Sequence, residues 1–374
     1  MKFLLIAGYP DSLLNFRGQL LDALRLTNLQ VHVAAPGLKH GSIRNALELR
    51  GVVVHDIFLQ RTGLNPVQDV FSLFHLWKLM RDIQPDYVLG YTIKPVIYGS
   101  LAAFMARVPY RYALITGLGY AFSDTDQKMT RCLMRSLAQY LYATALKRTL
   151  KVFFQNPDDE ALFRSLGILK PDALSCVVNG SGVDVASFNV APLPMKYIRF
   201  LLIARLLGDK GVREYAEAAR RVRILYPQVI FGLIGWLDEN PDSIAQSELD
   251  SWVNDGILEF HGKLSDVRPE IGECSVYVLP SYREGTPRTV LEAMAMGRPI
   301  ITTDAPGCRE TVIDGDNGFL VPVKSVDGLV EAMEKFISQP DLIEQMGKRS
   351  RVIAEEKYDV YKVNAFMLKE MGIH

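Results

Sequence analysis

A chain of 374 residues, 49% of them hydrophobic, can bury two ordinary cores, so its length and composition exclude an intrinsically disordered protein. The formal net charge is zero, but residues 1–170 carry 20 Lys and Arg against 12 Asp and Glu, whereas the remainder carries 22 against 30. The basic first half predicts an anionic partner for that half: a phosphate, a nucleic acid or a membrane surface. Four cysteines without C-x-x-C spacing are typical of reduced thiols in a cytoplasmic protein.

Short apolar runs alternate with helical patterns from the first residues onward. The first run, KFLLIAG, is too short for a signal peptide and has no small-residue cleavage site, so we predict a strand there. Further runs follow as VHVAAP, VVVHDIF, YVLGY, YRYALITG, KVFFQN and ALSCVVNG. Strands that are apolar on both faces and alternate with helices indicate a parallel sheet covered on two sides. No segment has the roughly 18 uninterrupted apolar residues of a membrane span.

The pattern pauses at VASFNVAPLPMKY (185–197), where two prolines interrupt any regular element. It restarts with IRFLLIAR, VIFGLIG, LEFHG, VYVLPSY, PIITTD and GFLVP, and is helical from about residue 325. We therefore predict two doubly wound α/β domains, residues 1–190 and 191–374, facing each other across a ligand-binding cleft. The last helix is expected to pack back on the first domain.

The stretch SYREGTPRTVLEAMAMGRP (281–299) places two glutamates around a turn. VYVLPSY is the predicted strand, REG the turn, and TPRTVLEAMAMG a helix with Thr286 as N-cap, Pro287 first in the helix and Gly297 at its end. A helix start preceded by Gly285 is suited to binding a phosphate. Glu292 then lies about 9 Å along the helix, at roughly 1.5 Å per residue.

This spacing suits a nucleotide sugar, in which a diphosphate separates two polyols. Glu284 could accept hydrogen bonds from sugar hydroxyls, and Glu292 from the ribose hydroxyls. The alternative is a surface turn with two solvated carboxylates. ARLLGDKGVREY (204–215) favours the first interpretation, because it places Arg205 and Lys210 after a strand, where two cations can stabilise a leaving diphosphate without a metal.

The run SYREGTPRTVLEAMAMGRPIITTDAPGCRETVIDGDNGFLVP (281–322) resembles the E-x7-E signature of family 4 of the retaining glycosyltransferases, which have the GT-B fold. ARLLGDKG, HGKLSDV (261–267) and SGVDVASF (181–188) extend the resemblance over the second domain. The resemblance implies that Arg205 and Lys210 bind the donor diphosphate, Glu292 the ribose and Glu284 the transferred sugar. It also places near the donor the backbone of Gly285, Thr286, Pro287 and Arg288, and near the base His261, Gly262 and Lys263.

In that family the leaving diphosphate itself helps to remove the acceptor proton, without a metal or a protein nucleophile. Two D-x-D triplets, Asp124-Thr125-Asp126 and Asp314-Gly315-Asp316, compete with this, because D-x-D holds a divalent metal in glycosyltransferases of the other main fold. Both lie in polar breaks, where Asp and Gly are ordinary turn formers. We predict no metal and no cofactor, with a UDP-sugar as co-substrate.

NFRGQLLDAL (15–24), TIKPVIYGSLAA (92–103) and VPYRYALITGLGYAF (108–122) resemble one branch of this family. Its members add sugars to polyprenyl-diphosphate-linked oligosaccharides and include N-acetylgalactosaminyltransferases of bacterial glycan assembly. The candidates for acceptor binding are Asn15, Arg17, Lys94, Thr116 and Gly117, and each is also compatible with a structural role. Thr116 takes the place where many relatives carry a histidine that faces the sugar, so no such contact is expected here.

Residues 127–157 contain no acidic side chain, and KMTRCLMRSLAQYLYATALKRTLK within them is amphipathic. Lys128, Arg131, Arg135, Lys147 and Arg148 are expected to face anionic headgroups, as in a peripheral protein on the inner face of the cell membrane. The alternative is an ordinary domain helix with a solvated basic face. Nucleic acid is not expected, because no aromatic and basic binding motif accompanies the charge.

Three functions remain to be distinguished. The leading one is a retaining glycosyltransferase that moves a hexose or an N-acetylhexosamine, with GalNAc as first choice, from a UDP-sugar to a lipid-diphosphate-linked saccharide. The glycan would be O-antigen, capsule or the glycan of a glycoprotein. The others are an enzyme like UDP-N-acetylglucosamine 2-epimerase and a noncatalytic nucleotide-sugar binding protein. An NAD-dependent oxidoreductase is excluded, because GYPDSLLNFRG after the first strand is no G-x-G-x-x-G.

Overall fold

The computed structural model describes residues 1–60, 65–117, 129–194, 196–238 and 240–374, without the side chains of 129–134. The chain forms two compact units, one made of Met1–Ser181 with Tyr361–His374 and the other of Gly182–Val360. The second unit begins ahead of the predicted boundary at residue 190. The reason is that Val183 pairs with the segment before the last helix: its N–H donates to Tyr358 O at 2.8 Å, and its carbonyl accepts from Val360 N at 2.9 Å.

The first unit is built on a seven-stranded sheet in the order β3-β2-β1-β4-β5-β6-β7. The strands are β1 (Lys2–Ile6), β2 (Gln30–Ala35), β3 (Val53–Asp56), β4 (Tyr87–Tyr91), β5 (Tyr110–Ile115), β6 (Lys151–Phe154) and β7 (Ser175–Val177). The helices between them are α1 (Asp11–Asn15), α2 (Gly18–Leu26), α3 (Ser42–Leu49), α4 (Pro66–Ile83), α5 (Ile93–Met105), α6 (Met129–Leu146) and α7 (Pro157–Ser165). Alternate residues of each strand face opposite sides of the sheet, so Leu4 joins one core and Leu5 the other.

The second unit has a six-stranded sheet in the order β10-β9-β8-β11-β12-β13. Its strands are β8 (Arg199–Ile203), β9 (Ile230–Ile234), β10 (Glu259–Phe260), β11 (Val276–Leu279), β12 (Ile300–Thr303) and β13 (Gly318–Val321). Its helices are α8 (Val212–Leu225), α9 (Gln246–Asn254), α10 (Arg268–Gly272), α11 (Arg288–Ala295), α12 (Val326–Ser338) and α13 (Asp341–Ile353). A short 3-10 turn, Gly208–Lys210, precedes α8.

The last helix, α14 (Val360–Glu370), supplies the C-terminal segment of the first unit. Met367 and Met371 are buried in the same core as β1, and the Tyr112 hydroxyl donates to Met371 O at 2.8 Å. Lys151 and Glu370 add an ion pair at 2.6 Å. The C-terminal segment is thus part of the core of the first unit.

The predicted fold class is confirmed: two parallel sheets, and every predicted strand is present in the predicted order. In each sheet the chain runs outward from two neighbouring central strands, β1 and β4 in one and β8 and β11 in the other. At such a switch point the loops leave in opposite directions and open a crevice at the carboxyl ends of the strands. Ligand-binding residues are therefore expected after β1, β4, β8 and β11.

Candidate active site

The two segments predicted to bind the donor meet at the switch point of the second sheet. The turn that carries Lys210 follows β8, and the turn that carries Glu284 follows β11, its neighbour in the sheet. Gly211 joins them: its φ is 68°, and a Cβ built on it would lie 2.2 Å from Pro280 O. A side chain at this position would strain the backbone and clash with Pro280 O. Glycine at position 211 therefore allows the lysine turn to pack against the end of β11.

Lys210 and Glu284 form a close ion pair. Lys210 Nζ donates to Glu284 Oε1 at 2.5 Å, and Ser281 Oγ donates to the same oxygen at 2.8 Å. The two charged side chains are only 13% and 18% exposed, so the pair is largely shielded from water. The sequence predicted both residues for the donor site, and the structure brings them into direct contact.

Opposing effects act on the charge of Lys210. Burial disfavours the ammonium, but attraction to Glu284 and Asp209 outweighs burial, so the pKa of Lys210 is raised. Burial also raises the pKa of the Asp209 carboxyl, and the neighbouring ammonium opposes that rise. Lys210 therefore stays cationic at neutral pH.

Arg205 lies on the same loop but has a partner that the sequence did not predict. Its Nη1 donates to Asp238 Oδ2 at 3.1 Å, and the arginine side chain is 35% exposed. Asp238 stands in the loop after β9 and is held there because its N–H donates to Ser243 Oγ. Residues 205 and 238 are not linked by any sequence motif. Their contact therefore becomes apparent only from the order of strands in the sheet.

The helix after the glutamate turn begins one residue later than predicted. Pro287, in extended conformation with φ −73° and ψ 111°, is the N-cap of α11, and the predicted cap Thr286 precedes it. Pro287 can take the cap position because it keeps its carbonyl, which accepts from Val290 N at 3.1 Å. The predicted end is confirmed, since Gly297 follows the helix with φ 75°.

Glu292 is buried on α11 and pairs with Arg288 one turn earlier. Arg288 Nε donates to Glu292 Oε1 at 2.9 Å, and the glutamate side chain is 11% exposed. Burial raises the pKa of the Glu292 carboxyl, and Arg288 partly offsets the rise. Arg288 thus supplies a charge partner to the carboxylate predicted to hold the ribose.

The glutamate turn is supported by backbone contacts to which the sequence resemblance assigned no role. Glu284 N donates to Pro306 O at 2.9 Å, and Tyr282 N donates to Asp209 O at 2.8 Å. Gly307 has φ 81°, and a Cβ on it would lie 2.1 Å from Glu284 O. The run DAPG after β12 is therefore a backbone support for Glu284.

We expect Gly307→Ala to destabilise the protein and to displace Glu284. The left-handed conformation alone costs an L-residue about 1 to 2 kcal/mol, and the contact with backbone oxygen adds about 1 to 3 kcal/mol. Gly315→Ala is the matched control, because Gly315 has φ 79° but nothing within 4 Å of its Cβ position. Urea unfolding should show a larger loss of free energy for Gly307→Ala, and equal losses would contradict the support assigned to Gly307.

The residues predicted near the base follow β10. The His261 ring lies 2.9 Å from Arg199 Nη2 and 3.8 Å from a Glu270 oxygen, so its contacts belong to the second unit itself. Gly262 accepts from Gly235 N at 3.0 Å, and Lys263 Nζ lies 4.9 Å from the centre of the Trp236 ring. The loops after β9 and β10 therefore contact each other.

The carboxylates of the second D-x-D triplet bind groups on β13 and α13. Asp314 Oδ1 accepts from Leu320 N at 2.9 Å, and Asp316 Oδ2 accepts from Arg349 Nε at 2.7 Å. The turn before β13 is therefore tied to that strand and to α13. The first triplet, residues 124–126, lies outside the described residues, and the absence of a metal stays a prediction.

Candidates for acceptor binding surround the switch point of the first sheet. Arg17 is buried, and its guanidinium carbon lies 5.2 Å from the centre of the Tyr91 ring, at the end of β4. Lys94 pairs with Asp69 at 2.8 Å, and both side chains are less than a tenth exposed. Asn15 ends α1, while Thr116 and Gly117 follow β5. The buried pair gives Lys94 a structural role within the first unit.

Most of the basic segment forms α6, which packs on α5 and buries Tyr142 and Ala145 in the core of the first unit. Lys147 and Arg148 are exposed after it, Arg135 is half-buried, and Lys128 and the Arg131 side chain lie outside the described residues. Arg148 stacks 4.3 Å from the centre of the Phe104 ring. Among the helices described, none has the length and apolarity needed to cross a membrane. Contact of this segment with lipid stays a prediction.

The chain has two doubly wound units, and in the second unit cations and carboxylates follow neighbouring strands. This arrangement is typical of two-domain α/β enzymes with the GT-B fold. Residues 10–156 match the family described as glycosyl transferase 4-like, and residues 186–352 match glycosyl transferases group 1. Sucrose-phosphate synthase from Thermosynechococcus elongatus has the same fold, with TM-score 0.79 and 17% identity, covering 99% of this chain and 98% of that one. So has HepE of Anabaena, solved with UDP-glucose, with TM-score 0.77 and 18% identity, covering 100% and 99%.

Two bacterial relatives align over most of their length. The N,N'-diacetylbacillosaminyl-diphospho-undecaprenol alpha-1,3-N-acetylgalactosaminyltransferase of Campylobacter jejuni is 30% identical, covering 91% of this chain and 90% of the relative. The UDP-Gal:alpha-D-GlcNAc-diphosphoundecaprenol alpha-1,3-galactosyltransferase of Escherichia coli is 27% identical, covering 77% and 76%. The chain therefore belongs to the family of group 1 and 4-like glycosyltransferases. The prediction that it is a glycosyltransferase is confirmed.

Proposed function

We propose that this glycosyltransferase moves an N-acetylhexosamine, with GalNAc as first choice, from a UDP-sugar to a polyprenyl-diphosphate-linked saccharide in bacterial glycan assembly. The observation that carries the proposal is the contact of Lys210 with Glu284 at the β8 and β11 switch point. The names of the two bacterial relatives support the acceptor class, because both act on diphospho-undecaprenol-linked sugars. GalNAc is the first choice because of the name of the Campylobacter relative and the resemblance to the branch that includes N-acetylgalactosaminyltransferases.

In the proposed reaction the Lys210 ammonium leaves the Glu284 carboxylate and binds the donor diphosphate. A donor diphosphate offers more negative charge than one carboxylate, so the ammonium moves from Glu284 toward the phosphates, and Arg205 joins it from the same loop. Glu284 is then available to accept hydrogen bonds from the hydroxyls of the transferred sugar. The cations stabilise the charge that develops on the diphosphate as its bond to the sugar breaks.

The bond changes balance without a protein nucleophile. The anomeric carbon loses its bond to the β-phosphate oxygen and gains one to the acceptor hydroxyl oxygen on the same face of the sugar. The hydroxyl proton passes to the departing diphosphate, and UDP leaves. We propose that this retaining, metal-independent course applies here, with the enzyme peripheral on the inner face of the cell membrane, where its acceptor lies.

A labelled-donor assay tests this function. The protein is incubated with a panel of labelled UDP-sugars and bacterial membrane extract, and label is followed into butanol-soluble lipid. We expect lipid-soluble label with one N-acetylhexosamine donor. Label recovered only as free sugar, or an epimerised donor without transfer, would contradict the proposal.

We expect Glu292→Gln to raise the KM for the donor by about tenfold to a hundredfold, since a hydrogen bond to a charged group is lost from a buried site. The ribose is remote from the reacting carbon, so kcat should stay within about threefold of the wild-type value. Steady-state kinetics at saturating acceptor separate the two constants. A fall in kcat at unchanged KM would place Glu292 at the reacting centre instead.

A further inference from the structure

Helix α4 carries an apolar face that the described part of the first unit leaves in solvent. Val67, Val70, Phe71 and Phe74 are 65%, 66%, 57% and 55% exposed, and we call these four residues the α4 stripe. Their spacing of three, four and seven places them on one side of the helix. The opposite side is also apolar, and Leu76 and Met80 are buried there at 0% and 1% exposure. The stripe is therefore apolar surface beyond what the core of the unit requires.

The position of the stripe relates it to the acceptor candidates. Lys94, in the first turn of α5, pairs with Asp69 in the first turn of α4. Because α5 starts directly after the carboxyl end of β4, the apolar end of α4 lies at the same edge of the first sheet as Tyr91. Thr92 at this edge has φ 68°, a strained conformation for a β-branched residue, as is common at ligand sites.

On the outward face of α4 the apolar stripe is followed by cations. Lys78 and Arg81 follow Phe74 as exposed cations. The sequence of α4, α5 and α6 together contains two acidic residues, Asp69, which is buried against Lys94, and Asp82 at the end of α4. Apolar and basic side chains at successive turns of one helix face are typical of helices that lie in the interface of an anionic bilayer.

The other flanking helix shows a similar surface. α5 packs against both α4 and α6, and on α6 Leu137 and Tyr140 are 44% and 68% exposed. Exposed apolar side chains therefore occur on both helices that border α5. Leu137 and Tyr140 lie within the basic segment already expected to meet lipid headgroups.

We propose that the α4 stripe docks this protein onto an anionic phospholipid bilayer, with Phe71 and Phe74 entering the acyl boundary and Lys78 and Arg81 at the phosphates. This proposal rests on the proposed function, because a polyprenyl-linked acceptor lies in a bilayer. Docking through α4 brings the carboxyl edge of the first sheet to the membrane surface.

Vesicle co-sedimentation tests the proposal without donor or acceptor, so an error in the proposed reaction leaves this result unchanged. The full chain is sedimented with vesicles of phosphatidylcholine alone and of phosphatidylcholine with phosphatidylglycerol. We expect Phe71→Ser/Phe74→Ser to lower partitioning onto the anionic vesicles by at least about tenfold. Lys78→Glu/Arg81→Glu should abolish the preference for the anionic composition.

Leu26→Ser/Leu49→Ser is the matched control, because these leucines are 86% and 89% exposed on α2 and α3, which pack on the opposite face of the sheet. Its partitioning should equal that of the wild type. Phe74 contacts the Trp77 ring at 5.4 Å, so Val70→Ser/Phe71→Ser serves as a second variant that leaves this contact intact.

Two outcomes would overturn the proposal. One is unchanged vesicle binding in both stripe variants. The other is a dimer in lipid-free buffer that Phe71→Ser/Phe74→Ser dissociates, which would assign the stripe to a second copy of the chain. Intact vesicle binding without label transfer in the donor assay would instead count against the proposed reaction and leave the docking surface standing.

Discussion

Lys210→Ala is expected to lower kcat for sugar transfer by about a hundredfold to a thousandfold or more. Its ammonium donates to Glu284 at the switch point and is held in the charged form by its neighbours. Removal of a single preorganised group that stabilises developing negative charge commonly has an effect of about this size. Steady-state transfer with the donor identified from the panel measures the loss.

Lys348→Ala provides the matched control for this prediction. Lys348 also forms a lysine and glutamate pair, with Glu344 at 2.6 Å, but both side chains are largely exposed on α13. Activity of Lys348→Ala should match the wild type. Near-normal turnover of Lys210→Ala, with intact circular dichroism in both variants, would remove Lys210 from the donor site.

Glu284→Gln is expected to lower kcat by about a hundredfold while the protein stays folded. The amide keeps the size of the side chain and can still accept a bond from Ser281, but it loses the charge that pairs with Lys210. Hydrogen bonds from sugar hydroxyls to a carboxylate are stronger than those to an amide, and they strengthen further as the sugar becomes electron-poor. The kinetic effect should therefore appear in kcat.

Stability measurements distinguish this effect from simple loss of an ion pair. The pair is largely shielded from water, so Glu284→Gln should lower the free energy of unfolding by about 1 to 3 kcal/mol, since the Lys210 ammonium loses its partner. Glu217→Gln is the control, because Glu217 pairs with Arg221 at 3.0 Å on the exposed face of α8. Full activity of Glu284→Gln would contradict its assignment to the transferred sugar.

The fold was predictable from sequence because parallel sheets impose a strong local pattern. Each strand is a short run that is apolar on both faces, and glycine, proline or polar residues mark where it ends. Helix starts were predicted less precisely: Thr286 was expected as the N-cap and Pro287 as the first helical residue, but the N-cap is Pro287. The domain boundary depended on hydrogen bonds between Val183 and residues 358 and 360, which are distant in sequence.

The site was predictable where one motif held its residues together and not where several loops contribute. Glu284 and Glu292 share a strand, turn and helix unit, so their spacing was informative. Asp238, by contrast, reaches Arg205 from the loop after another strand, and Gly307 supports Glu284 from a third. Such contacts follow from the order of strands in the sheet, which the sequence pattern does not specify.

The α4 stripe was missed for a different reason. The run PVQDVFSLFHLWKLMRDI is apolar on both sides of the helix, so periodicity alone could not tell the face that packs inward from the face that stays exposed. Burial of Leu76 and Met80 decides the question. The amphipathic helix α6 buries Tyr142 and Ala145 in the core, whereas Leu137 and Tyr140 stay exposed.

The configuration of the newly formed linkage tests the central claim most directly. That claim is that sugar transfer by this enzyme retains the configuration of the donor and needs no metal. The product from an α-linked UDP-sugar, made in the presence of EDTA, is examined by NMR for the coupling of its anomeric proton. We predict an α-linked product, formed at an undiminished rate. A β-linked product, or a requirement for added divalent cation, would contradict the claim.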